Sequence, residues 1–328
     1  MTMSKANVDY QIVVMRFMAL ILILFHHSIT VFRGWPPSEL GSLGVPASIS
    51  TLSGIAKLYG LGTFTFISGF LLANSRQKQL SWRFVVHKAK KILLPCIIAA
   101  IVYYIFFLKY SNSIDTINGT HLWYLPMIFI FYLLLPVIQC ESLKKIILYS
   151  LLFITINAIL DRFTGFRTFN ECGRYFCYFM SGAIMNKFLK DVRVNIRIVF
   201  AIVFLTMLFR GGIFFLPICA TIIIACSYYV LQYLFSSKFY VSFANREIKL
   251  YRGIKYFVIT VSAQSFFIYI LHQFIINLLI QYMPRSIPFF RLALFVSCFA
   301  LSLTVPLCLL FLWRFAKKRF TRLIILTD

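Results

Sequence analysis

Long apolar runs separated by short polar and basic clusters set the pattern of this chain from end to end. A membrane-crossing helix needs about 20 mostly apolar residues. Runs of that kind lie near 11–32, 52–74, 92–109, 121–140, 146–160, 173–187, 196–209, 212–234, 256–280 and 289–313. The pattern predicts an all-α integral membrane protein of about ten transmembrane helices, because helices satisfy their own backbone polar groups in lipid. The run at 196–209 is short, and those at 146–160 and 173–187 are not uniformly apolar, so counts of about nine or eleven also fit the pattern. No intervening segment is long enough for a soluble domain, and no internal repeat is present, so one polytopic domain is expected over 1–328.

Composition agrees with this reading. Apolar residues form 61% of the 328, charged residues 13%, and the mean hydropathy is +0.86; an ordinary soluble domain is only about half apolar. The formal net charge of +24 is not a sign of nucleic-acid binding, because the basic residues sit between apolar runs and not on a polar surface. It is a topology signal. With the N-terminus placed in the cytoplasm, 23 of the 33 Lys and Arg residues fall on inner segments, from Lys5 through the Arg83–Lys91 cluster to Arg322. Nine fall outside or at outer span ends: Arg33, Lys57, Lys109, Arg162, Arg167, Arg174, Arg210, Arg285 and Arg291. That asymmetry predicts that both termini are cytoplasmic. The first apolar run holds Arg16 and has no small-residue cleavage site, so it is expected to be a helix and not a removable signal peptide. The eight cysteines show no metal-ligand spacing and are expected as small buried side chains, with no metal. Asn118-Gly119-Thr120 is a glycosylation sequon whose use depends on the host.

Ionisable groups at membrane depth are functional candidates by default, and the first run, MRFMALILILFHHS, carries three. At about 100° per residue, His27 lies some 20° from the face of Arg16 and about 16 Å along the axis, whereas His26 is turned by roughly 80°. In the predicted orientation Arg16 is near the cytoplasmic interface and His27 in the outer half, and His26 points elsewhere. Arginine can hold a phosphate through a forked contact, and a neutral imidazole can accept a proton from a hydroxyl. The alternative is structural, with Arg16 snorkelling to headgroups and His27 bridging helices. His121 and Trp123 open the fourth run, where aromatic residues are commonly interfacial anchors. His272 and Gln273 interrupt the ninth. Ser68 and Gly69, in TFISGFLLANS, would allow two helices to approach closely.

Five stretches in order, the Arg16 to His27 pair, FTFISGFLL, RFVVHKAKKILLP, HLWYLPMIFIFYLLLP and SFFIYILHQF, resemble acyltransferase family 3, whose bacterial members O-acetylate surface sugars. The resemblance covers Arg16 to His272. It implies a roughly ten-helix layout, with Arg16 and His27 as the essential pair for donor handling and catalysis. It implies acetyl-CoA as acyl donor, held from the cytosol by Arg16, Arg83, Lys88 and Lys91, although the lysines stand where arginines are more usual. It further implies a substrate-binding role for His121, Trp123 and His272. The acceptor would be a saccharide or glycolipid of the cell envelope, in an inner plasma membrane, with membrane lipid but no nucleic acid as a partner.

The residues and the resemblance together predict an O-acetyltransferase with His27 as general base. A transporter or flippase of lipid-linked saccharides is the alternative, since embedded Arg and His also relay protons or bind cargo. Transporters often show inverted repeats, and the two halves of this sequence do not match.

Overall fold

The computed structural model describes residues 10–34, 40, 44–75, 79–107, 117, 119–139, 143–165, 167–190, 192, 194–208, 212–236 and 249–325. Among these the chain is all-helical. Asn118 of the sequon, Cys140, and the cations Lys5, Arg76, Lys78, Lys109, Arg193, Arg210, Lys238 and Arg246 lie outside the described residues.

Among the described residues each predicted apolar run is helical over most of its length. The elements are α1 (Tyr10–Thr30), which continues as a 3-10 turn (Val31–Arg33), α2 (Ala47–Ala73), α3 (Trp82–Phe107), a 3-10 turn (His121–Trp123) leading into α4 (Tyr124–Tyr132), and a short α5 (Leu135–Ile138). They continue with α6 (Leu143–Thr164), α7 (Arg167–Ile184) ending in a π turn (Met185–Leu189), α8 (Ile196–Leu208) and α9 (Gly212–Ser236). The last three are α10 (Lys249–Ala263), α11 (Ser265–Tyr282) and α12 (Phe290–Ile325).

Among the described residues, seven helices are long and apolar enough to cross a membrane: α1 with its 3-10 turn, α2, α3, α6, α9, α11 and α12. Three of the predicted spans, the fourth, sixth and seventh, fall short for separate reasons, and the ninth is shorter than expected. The fourth, 121–140, is broken by turns at Leu133 and Leu134 before Pro136 starts α5. The sixth becomes α7, whose first two turns carry Arg167, Thr168, Asn170, Glu171 and Arg174. The seventh is α8, only 13 residues long. The ninth, 256–280, is two helices and not the continuous span expected: α10 stops at Ala263, the Gln264 N–H is shared between the Thr260 and Val261 carbonyls, and α11 starts afresh at Ser265. Small and polar residues, Ser262 to Ser265, occupy that break.

Half or more of the spans of α1, α2 and α11 is buried by other helices, 56%, 61% and 50%, against 11% for α6 and 22% for α12. The first three are therefore the centre of the bundle, while the exposed Leu, Ile and Phe of the others form a lipid-facing surface. The most extensive helix pairs are α2 with α7 and α1 with α2. Close approach of α2 and α7 depends on two glycines. A Cβ on Gly69 would collide with the Phe179 carbonyl, and one on Gly182 with the Phe66 carbonyl. Gly69 therefore acts as the sequence suggests, while the Ser68 hydroxyl bonds back to the Phe64 carbonyl at 2.9 Å. The surrounding core is rich in aromatic residues, with Phe66, Phe70, Phe131, Tyr175, Tyr178 and Phe179 all fully buried. Among the seven described cysteines there is no disulfide, and Cys96, Cys172, Cys226 and Cys298 are buried.

Candidate functional site

The last turn of α1 presents two adjacent imidazoles, His26 and His27, with ring centroids 4.9 Å apart. Helical phase predicts that His26 points away from the seam of His27. The structure corrects this, since both rings are buried and both line the same cavity. The reason is α2, which runs alongside α1 and takes up the His26 ring. His26 Nδ1 lies 2.9 Å from the Ser53 carbonyl oxygen and 2.9 Å from the Ser53 hydroxyl. A carbonyl only accepts, so Nδ1 carries the proton and donates it, leaving Nε2 as the lone-pair nitrogen of His26.

His121 arrives on a different local structure. The Thr120 hydroxyl accepts from the Leu122 N–H at 3.2 Å, which caps the 3-10 turn His121–Trp123. Each carbonyl of this turn receives a side-chain donor from a different helix. The Tyr269 hydroxyl of α11 donates to His121 O at 2.6 Å, the Cys96 thiol of α3 to Leu122 O at 3.7 Å, and the Thr168 hydroxyl of α7 to Trp123 O at 3.5 Å. Non-helical backbone within a membrane bundle is stable only when protein groups satisfy it in this way. The interfacial anchor expected at 121–123 is instead an interior plug, with His121 and Trp123 each 2% exposed.

His272, wholly buried on α11, completes a cluster of imidazoles. Its ring centroid is 4.9 Å from that of His27 and 4.6 Å from that of His121, while His27 and His121 are 6.2 Å apart. Its Nδ1 lies 2.6 Å from the Tyr269 carbonyl, one turn back on α11, so that nitrogen bears the proton. Nε2 is then a buried acceptor with no hydrogen-bond partner among the described residues. The Tyr103 hydroxyl donates to Ile270 O at 3.1 Å and its ring packs 5.9 Å from His121, which ties α3 to the same cluster.

A cavity of about 270 Å³ opens beside these rings. Its walls are His26, His27 and Thr30 of α1, Arg33 of the following turn, Gly54, Lys57 and Leu61 of α2, His121 and Trp123, Arg167 of α7, and Tyr269. Arg167 Cζ stands 5.0 Å from the centre of the Trp123 ring. Behind it Glu171 is buried and paired with Arg174 Nη1 at 3.1 Å and Arg167 Nε at 3.9 Å. His272 does not line this cavity; it stands behind His27 and His121 as their packing partner. Among the described residues no set of three His, Cys, Asp or Glu side chains could hold a metal ion.

The remaining predicted residues lie at the opposite end of the same helices. Arg16, eleven residues before His27 on α1, is half-buried and has the Tyr132 hydroxyl as its electrostatic neighbour. Lys88 Nζ sits over the same ring, 4.0 Å from its centroid, and 5.4 Å from that of Phe84. Arg83 and Lys91 are exposed near the start of α3. The arrangement is two-ended, with cations and a phenol at one end of α1 and imidazoles with a cavity at the other.

Residue-by-residue reading of the chain missed Tyr269, Ser53 and Tyr103, because a Tyr or Ser inside an apolar run looks like ordinary packing. For Arg33, Lys57 and Arg167 the signal was present, since all three stand where the charge pattern predicts few cations, but their convergence is visible only in three dimensions.

No curated protein and no solved structure matches the chain. The sequence profile of acyltransferase family 3, described as an acyltransferase domain, matches residues 9–313, which takes in every residue of the imidazole cluster, the cavity and the Arg16 end. The chain therefore belongs to acyltransferase family 3 and is a multi-pass helical membrane protein of that family.

Proposed function

We propose that this protein transfers an acetyl group from acetyl-CoA to a hydroxyl of a cell-envelope saccharide, with His27 as general base. The observation that supports this most strongly is the meeting of His27, His121 and His272 beside a cavity on the helix whose far end bears Arg16. Membership of an acyltransferase family favours acyl transfer over the transport of lipid-linked saccharides that embedded Arg and His residues also suit.

In this reading the shorter apolar segments also cross and bring the seven long helices to ten passes through the plasma membrane of a bacterial cell, with both termini in the cytoplasm, the polarity favoured by the basic segments. Acetyl-CoA approaches from the Arg16 end. Arg16 and Lys88 hold phosphate oxygens, Arg83 and Lys91 add positive potential at the entrance, and the pantetheine arm runs along α1 toward His27. The acceptor occupies the cavity. His27 takes the proton of the acceptor hydroxyl as its oxygen bonds to the thioester carbonyl carbon; the C–S bond then breaks, and the CoA sulfur leaves with a proton returned from the imidazolium. His121 and His272 hold the His27 ring in place, and Trp123 and Tyr269 bound the acceptor.

The test is CoA thiol release from acetyl-CoA by the protein in nanodiscs, with and without envelope glycans, for wild type and His27→Ala. Acceptor-dependent release that disappears in His27→Ala is the expected result. Wild-type turnover by that variant would overturn the assignment of the base.

A further inference from the structure

We propose that the acceptor is anionic, and that Arg33, Lys57 and Arg167 receive its carboxylate or phosphate at the cavity. This rests on the acyl-transfer reading of the same cavity and adds to it the chemical class of the substrate.

Three separate elements supply these cations: the turn that ends α1, the third turn of α2, and the first turn of α7. They converge on one cavity, although the charge pattern predicts few cations there. Among the described residues one carboxylate, Glu171, is in salt-bridge range of any cation at this site, and Arg174 already gives it its 3.1 Å contact. Arg33, Lys57 and Arg167 each line the cavity itself. Cations lining a pocket with low-dielectric walls raise the local concentration of anions.

Size and shape narrow the ligand. At about 270 Å³ the cavity lies just below the range of roughly 300–1,000 Å³ typical for drug-sized ligands, which suits one sugar residue and its charged substituent better than the nucleotide end of CoA. Trp123 lines this space but is 2% exposed, with Arg167 Cζ 5.0 Å from its ring centre, so it forms a closed wall beside the cations. Beside it, His27 lines the same space, so a hydroxyl of the bound sugar can come within reach of an imidazole nitrogen. Carboxylate and phosphate share the chemistry that Arg and Lys recognise, and the two can be separated by experiment.

Envelope glycans of the producing cell would be separated by anion exchange into neutral and anionic pools and offered with acetyl-CoA to the protein in nanodiscs. Acceptor-dependent thiol release is expected with the anionic pool. Its loss after chemical reduction of carboxyl groups would identify a carboxylate, and its loss after phosphate removal a phosphate. Lys57→Gln and Arg33→Gln should each lower kcat/KM for the anionic pool by about tenfold or more, the size of one charge-assisted contact, while Lys57→Arg keeps most of it. Thermal midpoints of the variants would identify any that lose their fold, and Lys57→Arg then carries the comparison. Equal or greater release with the neutral pool, or release that survives both treatments, overturns the proposal while leaving acyl transfer standing. A rise in the KM for acetyl-CoA in place of the acceptor effect would assign the cations to the donor and overturn it too. Thiol release with neither pool would bring down the acyl-transfer reading itself.

Discussion

Tyr269 holds two histidines at once: its carbonyl accepts from His272 Nδ1 at 2.6 Å, and its hydroxyl donates to the His121 carbonyl at 2.6 Å. One side chain and one peptide unit of α11 thereby set the tautomer of one imidazole and the backbone position of another. Tyr269→Phe removes the second link and keeps the first. Its expected consequence is a loss of roughly 1–3 kcal/mol from the unsatisfied His121 carbonyl, seen as a lower thermal midpoint, with kcat falling more than the KM for acceptor. An unchanged midpoint together with unchanged kcat would show that the link is dispensable.

Removal of His27 tests the assigned base. A positioned general base contributes about 10² to 10⁴ in rate, so His27→Ala and His27→Gln should lose that much acceptor-dependent thiol release with little change in thermal midpoint. His26→Ala should lose less than a tenth as much in logarithmic terms only if its bond to Ser53 is purely structural; a comparable loss from His26→Ala would transfer the role to its neighbour.

The contact between His27 and His272 predicts coupling. Substitutions in one hydrogen-bonded or packed unit are not additive. His272→Ala alone should slow turnover, and in the His27→Ala background it should cost little more. Two independent, multiplying losses in the rate assay would show that His272 acts without His27.

At the other end of α1, Arg16→Ala should raise the KM for acetyl-CoA by about tenfold or more, as expected for loss of a charge-assisted contact to phosphate. Arg16→Lys should recover part of the loss, because lysine keeps the charge and gives up the fork. A donor titration in which Arg16→Ala leaves KM unchanged would separate this residue from the donor.

The contact of α2 with α7 predicts the largest effect on folding. In Gly69→Ala and Gly182→Ala the new methyl group meets backbone carbonyl oxygen, which cannot rotate away, so the helices must separate. Overpacking of this kind costs about 1–3 kcal/mol, sometimes more. Gly54→Ala, where a Cβ meets open space, is the matched control for stability, and equal midpoints for all three would contradict the close approach.

How far the chain could be read in advance follows from which features are local. Apolar runs are local, and their described residues are mostly helix here. Arg16, His27, His121 and His272 stand out because charge or imidazole within apolar sequence is rare. The broken ninth span was not legible, because the apolar runs on either side mask the short polar stretch from Ser262 to Ser265 at which the hydrogen bonding changes. Nor was the place of His26, since phase on a single helix says nothing about a second helix close enough to offer Ser53. The burial of Trp123 depended on donors from Cys96, Thr168 and Tyr269, three residues distant in sequence from the turn and from one another.

The paired glycines of α2 and α7 also act at a distance. Lys57 lies twelve residues from Gly69, about 18 Å along α2, and Arg167 fifteen residues from Gly182, about 22 Å along α7. Backbone seated against backbone at one end works like a rivet: neither rod can slip by a helical turn of about 5.4 Å without driving a carbonyl into its neighbour. The spacing of the two cations is thus inherited from a joint remote from them. If the cavity must widen to admit a ligand, this pair is the fixed jamb, and the moving leaf is the opposite wall, formed by the end of α1, the His121–Trp123 turn and α11.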